Sequence, residues 1–225
     1  MSLTKSIKNM FPEAIPMPGA VIYNAIPARI LKKPERELAQ NIAGSMETGV
    51  LVDLGSGTGF LAIEIAKRAP QLKVYGIDLS RAMVKIARRH AQTTKNVQFE
   101  VCNAAELTFK DDSIDFIVST GSLHHWKKPV KIFNECYRVL KSGKEAWIYD
   151  GCPDIPKEEA GKVVKKYGFL RYQVLRRLVR IHGFTRDEYE SEIRGVLEQT
   201  KFKGHYKMEQ TDIWMKIVAR KHVKS

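Results

Sequence analysis

The sequence has 225 residues, of which 44% are apolar, and a formal net charge of +13. This apolar content excludes wholesale disorder, and no stretch approaches the ~18–20 uncharged apolar residues that a membrane-spanning helix needs. The three cysteines, Cys102, Cys136 and Cys152, lack metal-ligand spacing, which predicts no metal site and favours a reducing compartment. Because no apolar signal core precedes Pro12, we predict a soluble cytoplasmic protein.

The elements between residues 41 and 150 alternate strand and helix. Residues 1–40 are rich in proline and are expected to form an N-terminal cover or lid, in which Tyr23 could cover a ligand. The following core has predicted strands at 50–53, 74–77, 97–102, 114–119 and 146–149, with helices near 60–69, 83–87 and 130–140. This alternation predicts parallel strands joined by right-handed crossovers, hence a doubly wound α/β sheet that binds ligands at the carboxyl ends of its strands.

The pattern changes after residue 150. Residues 151–205 are predicted to be a helical insertion that acts as a substrate lid, with Thr185 and Glu188 forming a capping box. Its apolar residues are expected on one helical stripe: Val163, Tyr167, Leu170, Val174, Leu178 and Ile181. Residues 206–225 are expected to complete the core sheet, with 205–210 and 213–219 forming an antiparallel hairpin.

The segment 53–59, Asp-Leu-Gly-Ser-Gly-Thr-Gly, lies between a predicted strand and a predicted helix. Its glycines let the backbone approach a ligand closely, and the helix start presents free N–H groups. Phe60 departs from the glycine spacing of dinucleotide sites. Asp78, at the end of the second strand, can accept from both hydroxyls of a ribose, and Asp53 can accept from an ammonium group. Together these groups describe a site for S-adenosylmethionine.

Several motifs occur in the order typical of one enzyme family. They lie at 50–60, 75–80, 114–118 with 123–126, and 138–143. In these motifs the sequence resembles the class I S-adenosylmethionine-dependent methyltransferases, in particular the small-molecule branch related to the ubiquinone and menaquinone enzymes. The resemblance implies a Rossmann-like methyltransferase fold with a seven-stranded, mostly parallel sheet. It also implies methyl transfer to a small-molecule acceptor by in-line displacement, with S-adenosylhomocysteine as product.

The resemblance implies a set of cofactor-binding residues. The methionine part would be held by Gly55, Ser56, Gly57 and Gly59, with Asp53 nearby, and the ribose by Asp78. The adenine would contact Leu79, Asn103 and Ala104, and the sulfonium and acceptor would lie beside Ser119 and Thr120. Asn103 departs from the family, which usually has Asp there; its amide oxygen could still accept from the adenine amine, with weaker binding expected.

His124 and His125 are the candidate catalytic residues. An imidazole with a pKa near neutrality could take a proton from an oxygen or nitrogen acceptor. The sulfonium is an excellent leaving group, so alignment can supply most of the acceleration and a scaffold role for the two histidines stays open.

A basic stripe from Lys162 to Arg180 holds seven basic residues and no acid. It could face RNA, an anionic membrane or an acidic substrate, or it could be the solvated face of a lid helix neutralised by the acids of 187–198. An RNA or protein methyltransferase that docks through this stripe is therefore an alternative, although a nucleic-acid partner is not favoured. A non-catalytic S-adenosylmethionine-binding module is a second alternative.

Overall fold

The computed structural model describes residues 27–223, including their side chains apart from those of residues 27–32, 181 and 182. The predicted N-terminal cover is therefore described only from residue 27, where helix α1 (Pro27–Ser45) begins, and Tyr23 lies outside the described residues. No helix in this part of the chain has the length and apolar character needed to cross a bilayer.

The described residues form one seven-stranded sheet between helices. The strands are β1 (Gly49–Leu54), β2 (Leu72–Asp78), β3 (Val97–Val101), β4 (Ile114–Thr120), β5 (Leu140–Gly151), β6 (Tyr206–Thr211) and β7 (Trp214–Arg220). Their order is β3-β2-β1-β4-β5-β7-β6. Strands β1 to β5 pair in parallel, whereas β7 is antiparallel to both β5 and β6. The predicted α/β class, doubly wound sheet and closing hairpin are confirmed.

The helices follow the strands in the predicted alternation. They are α2 (Phe60–Arg68), α3 (Arg81–His90), α4 (Pro129–Val139), α5 (Lys157–Tyr167), α6 (Phe169–His182), α7 (Arg186–Glu188) and α8 (Arg194–Leu197). A 3-10 turn covers Leu123–His125, and a π-helical turn, Tyr189–Ile193, joins α7 to α8. The Thr185 and Glu188 capping box is present as predicted.

Both faces of the sheet are buried, as the apolar runs in its parallel strands require. One core combines side chains of α1, α2 and α3 with the sheet, including Ile42, Ile65 and Val84. The other combines α4 and the segment from the π-helical turn to α8 with the sheet, including Phe133 and Tyr189. The carboxyl ends of the parallel strands are thereby left at one edge, where the loops after β1, β2 and β4 meet.

Strand β5 is longer than predicted. The sequence places a helix through Leu140 and a strand only at 146–149, whereas the helix ends at Val139 and the strand begins at Leu140. Leu140 pairs with Ile114, and the register then shifts before Phe116 pairs with Glu145. The prediction was wrong here because the glycine at 143, at φ +73°, is accommodated within the strand instead of separating two elements.

The predicted apolar stripe of 151–205 does not form a single face. Gly168, at φ +87°, lies between α5 and α6, so the helical periodicity does not run through it. Val163 and Tyr167 are buried as expected, but Leu170 is 80% exposed and Val174 is 43% exposed. Helix α6 packs instead through two other apolar residues, Leu175 and Val179.

The helices α5 to α8 lie between β5 and β6 in the chain, and the hairpin of β6 and β7 lies within residues 206–225. The division into an N-terminal cover, a core, a helical lid and terminal strands at 1–40, 41–150, 151–205 and 206–225 stays a prediction.

Candidate functional site

The glycine segment after β1 forms a loop with three left-handed residues. Gly55, Gly57 and Gly59 have φ values of +69°, +53° and +82°. A Cβ on Gly55 would lie 2.6 Å from Cβ of Ser122, and one on Gly59 would lie 2.5 Å from Cζ of Phe99. A Cβ on Gly57 would meet nothing within 4 Å. Gly55 and Gly59 are therefore required by packing, whereas Gly57 borders open space that a ligand can fill.

Asp78 connects the glycine loop to the end of β2. Its Oδ2 accepts from the backbone N–H of Gly57 at 2.9 Å, and its Oδ1 accepts from the N–H of Ser80 at 2.8 Å. Burial raises the pKa of this carboxyl, and the two backbone hydrogen bonds oppose that rise. Because a carboxylate oxygen has more than one acceptor site, both oxygens can still accept from hydroxyl groups of a ligand.

Asp53 is a buried carboxyl beside the same loop. It is 1% exposed, and its Oδ1 has no hydrogen-bond partner within the described part of the chain. Burial raises its pKa well above the usual range, and the neighbouring carboxyls of Glu35 and Asp78 raise it further. The hydroxyl of Ser56 is likewise buried without a partner among residues 27–223. Such groups are satisfied when a cation or hydrogen-bond donor enters the loop.

Glu35 on α1 was missed by the sequence analysis. It is half-buried and acts on Asp53 electrostatically. Its position depends on the packing of α1 against α2, which no motif indicates. Only its presence as an acid in the predicted cover could have suggested a role.

The residues expected at the adenine lie after β2 and β3. Leu79 is 36% exposed, which is uncommon for a large apolar side chain next to a buried strand. Asn103 is exposed, and its Oδ1 accepts from the N–H of Ala105 at 2.9 Å, closing a local turn. Ala104 packs against the core. The Asn103 amide oxygen therefore already accepts one hydrogen bond, from the backbone two residues further on.

Ser119 and Thr120 end strand β4. Ser119 is fully buried, and its hydroxyl donates to the carbonyl oxygen of Leu54 at 2.7 Å and lies 2.6 Å from Oγ of Ser122. Oγ of Ser122 also accepts from Nε1 of Trp126 at 3.1 Å. This network fixes the end of β1, so Ser119 supports the loop, while the half-buried Thr120 lies next to Gly121 at the strand end.

His124 is held by a buried carboxylate at the end of β5. Its Nδ1 lies 3.0 Å from both oxygens of Asp150, and its backbone N–H donates to Asp150 Oδ2 at 3.0 Å. Asp150 is 1% exposed. The ring of His125 lies against that of His124, with 4.1 Å between the centroids and a tilt of 43° between the ring planes. The structure therefore brings both predicted histidines together, and it adds Asp150, which sequence reasoning missed although it ends a predicted parallel strand.

Tyr189, on the π-helical turn, also approaches this pair. It is fully buried, and its hydroxyl has no hydrogen-bond partner among residues 27–223. Burial raises its pKa well above the ordinary value, and Asp150 contributes to the rise. Cys152 follows Asp150 in the next loop, and burial raises the pKa of its thiol to about 12, so it is protonated and unreactive near neutrality.

The part of the chain that holds this site resembles a known domain. Residues 52–148 match the family model described as a methyltransferase domain. The resemblance stated from the motifs is confirmed over this segment. The matched segment contains the glycine loop, Asp78 and His124, whereas Glu35, Asp150 and Tyr189 lie outside it.

Known proteins resemble about half of this chain in sequence. Malonyl-[acyl-carrier protein] O-methyltransferase of Geobacter sulfurreducens is 32% identical over 122 residues, which cover 54% of this chain and 46% of that protein. Demethylmenaquinone methyltransferase of Thermus thermophilus is 33% identical over 118 residues, which cover 52% and 53%. The chain therefore matches these relatives over about half of their length.

Solved structures resemble the whole fold. A SAM-dependent methyltransferase from Aquifex aeolicus superposes with a TM-score of 0.61 at 20% identity, covering 98% of each chain. Phosphoethanolamine N-methyltransferase 2 of Haemonchus contortus, solved with S-adenosyl-L-methionine, superposes with a TM-score of 0.53 at 23% identity, covering 84% of this chain and 52% of that one. These likenesses confirm the predicted Rossmann-like methyltransferase fold.

Proposed function

We propose that this chain binds S-adenosylmethionine at the glycine loop and transfers its methyl group to a small-molecule acceptor. The observation that carries the proposal is the unpartnered, buried carboxyl oxygen of Asp53 beside a loop that is open at Gly57. S-adenosylhomocysteine would be the product.

The residues present fit this cofactor. An ammonium group near Asp53 would satisfy its unpartnered oxygen and favour the ionised carboxylate, which burial and Glu35 otherwise disfavour. Gly55, Ser56, Gly57 and Gly59 would surround the methionine part. The ribose hydroxyls would donate to Asp78, whose position is already fixed by the loop.

The adenine would cover the exposed side chain of Leu79. Asn103 would accept from the adenine amine with the remaining capacity of its amide oxygen, and Ala104 would contact the ring. Because the Ala105 N–H already engages Asn103, we expect this contact to contribute less than a carboxylate would.

S-adenosylmethionine supplies, when bound, a methyl group on a positively charged sulfur that leaves readily. Ser119 would position the end of β1, and Thr120 would border the acceptor. The Asp150 carboxylate orients His124 through Nδ1, which leaves Nε2 to accept the proton of a hydroxyl or amine acceptor. His125 would restrict the His124 ring by packing against it.

A small-molecule acceptor is supported by the relatives, one of which is named for demethylmenaquinone. The acceptor could also be carried on a protein, as the name of the malonyl-[acyl-carrier protein] enzyme states for that relative. Location in the cytoplasm stays a prediction.

Calorimetric titration of S-adenosylmethionine tests the binding site. We expect Asp53→Asn and Asp78→Ala to weaken binding at least about 10-fold, since each removes a charge-assisted contact. Glu47→Gln is the matched control, because Glu47 is exposed in the turn before β1, at the opposite edge of the sheet. Undetectable binding to the unaltered protein, or equal affinity in Asp78→Ala, would refute the site.

Transfer is tested with S-adenosylmethionine carrying a labelled methyl group. We expect label to enter a low-mass fraction of a cell extract, with S-adenosylhomocysteine formed in equal amount. Label in a macromolecular fraction that is lost on nuclease or protease treatment would favour the alternative RNA or protein acceptor. Tight cofactor binding with no label transferred would indicate a non-catalytic module.

A further inference from the structure

The exposed apolar residues of the structure are concentrated on helix α6. Phe169, Leu170 and Val174 are 60%, 80% and 43% exposed. The opposite side of α6 packs against the rest of the protein, since Leu175 and Val179 are buried there. The helix therefore has one apolar face that packs inward and a second that reaches solvent.

Basic side chains surround this second face. Arg171 and Arg177 lie three residues before and after Val174, which places them on either side of the Leu170 and Val174 row. Arg176 and Arg180 add two further positive charges, and α6 contains no acid. All four arginines are exposed.

These arginines are not neutralised within the described ranges. No ion pair there involves an arginine of α6, whereas two lysines of α5 are paired: Lys162 with Glu159 at 2.7 Å and Lys166 with Asp212 at 2.8 Å. Among the acids after α6, Glu190 pairs with Arg194 at 2.6 Å. The basic stripe predicted from Lys162 to Arg180 thus divides into α5, where Lys162 and Lys166 are paired, and α6, whose arginines form no ion pair with another described residue.

We propose that α6 docks the protein on an anionic lipid bilayer. Four arginines would contact acidic headgroups, while Phe169, Leu170 and Val174 would enter the boundary with the acyl chains. The Phe169 ring can stack on a base and the arginines can contact phosphate, but RNA fits less well because the exposed aliphatic side chains of Leu170 and Val174 would gain nothing from either contact.

Helix α6 lies next to the candidate active site, so docking through α6 would also position that site relative to the bilayer. Val179 packs against Gly151, the last residue of β5, and the N–H of Phe184 donates to the Gly151 carbonyl oxygen at 3.0 Å. Gly151 directly follows Asp150. Docking through α6 would therefore bring the carboxyl edge of the sheet close to the lipid surface, where an apolar acceptor would be concentrated.

Vesicle flotation with the full chain tests the proposal. We expect binding to vesicles of phosphatidylcholine with 30% phosphatidylglycerol and little binding to phosphatidylcholine alone. Arg176→Glu/Arg177→Glu should weaken partitioning about 30-fold or more. The matched control is Lys73→Glu/Lys95→Glu, which makes the same change of charge at two exposed lysines on the amino-terminal side of the sheet and should retain binding.

A second variant separates insertion from simple charge attraction. Leu170→Gln/Val174→Thr leaves the net charge unchanged and alters only exposed side chains, so it should fold normally, as circular dichroism would verify. We expect it to weaken vesicle binding about 10-fold. Full binding by this variant, equal loss in the Lys73/Lys95 control, or failure of the unaltered protein to float would each overturn the proposal. Preferential, salt-sensitive binding of RNA that needs Arg176 and Arg177 would overturn it in favour of a nucleic-acid surface.

Discussion

Replacing Gly59 should destabilise the protein much more than replacing Gly57. Both glycines have positive φ, so a side chain at either position introduces backbone strain of about 1 kcal/mol. At Gly59 the added Cβ would also lie 2.5 Å from Cζ of Phe99 and 2.9 Å from Cβ of Ala87, and such overpacking costs about 1–3 kcal/mol. We therefore expect losses of about 2–4 kcal/mol for Gly59→Ala and about 1 kcal/mol for Gly57→Ala.

Urea unfolding followed by tryptophan fluorescence measures this difference. The double variant Gly59→Ala/Phe99→Leu should recover about 1–2 kcal/mol relative to the sum of the single changes, because the atom that blocks the new Cβ is removed. Gly57→Ala should instead weaken cofactor binding, since its Cβ would occupy the open space of the loop. Equal destabilisation by the two alanines, together with no coupling to Phe99, would refute the assignment of Gly59 to packing and Gly57 to the ligand.

Three further predictions concern buried polar groups. Because the pKa of Asp53 is raised in the folded state, the free energy of unfolding should fall as pH rises from about 4 through that raised pKa. Urea unfolding at several pH values measures this pH dependence, and Asp53→Asn should reduce it. An unchanged pH dependence in Asp53→Asn would show that Asp53 is not its cause. If the accepting group of the substrate must lose a proton, His124→Ala should lower kcat by about 10²–10⁴-fold, and Asp150→Asn should also lower kcat. A wild-type kcat in both variants would assign the pair a scaffold role. Tyr189→Phe should leave the unfolding free energy unchanged or raise it by about 1 kcal/mol, since the hydroxyl lacks a partner in residues 27–223; a clear loss of stability would contradict that reading.

The parallel part of the fold was predictable because its signals are local. Strands β1 to β4 are apolar runs bounded by turns, and the glycine loop and Asp78 occupy fixed positions relative to them. The start of β5 was missed because Gly143 has the sequence character of a turn, although tertiary pairing holds it in the strand. The apolar stripe predicted through residues 151–205 was wrong because Gly168 ends α5 and a new helix, α6, begins after it.

The site residues that belong to a sequence motif could be predicted, whereas those brought to the site by helix or strand packing could not. Asp53 and Asp78 follow from the loop and the strand ends. Glu35 reaches Asp53 only because α1 packs on α2, and Asp150 meets His124 only because β5 lies next to β4. The roles predicted for Ser119 and Asn103 involve hydroxyl and amide oxygens that the folded backbone also uses. Sequence patterns show which groups are present, but not which hydrogen bonds they already make.

The order of strands in the sheet also affects how the protein is made. Strand β7 lies between β5 and β6 yet is synthesised after both, so until β7 has emerged from the ribosome β6 has no partner strand and β5 has only β4. Until then the nascent chain exposes the unpaired backbone edge of β5 that later pairs with β7, and such an edge promotes association with other incomplete chains. Production of this protein should therefore be sensitive to chaperone supply and to translation pauses between β6 and β7.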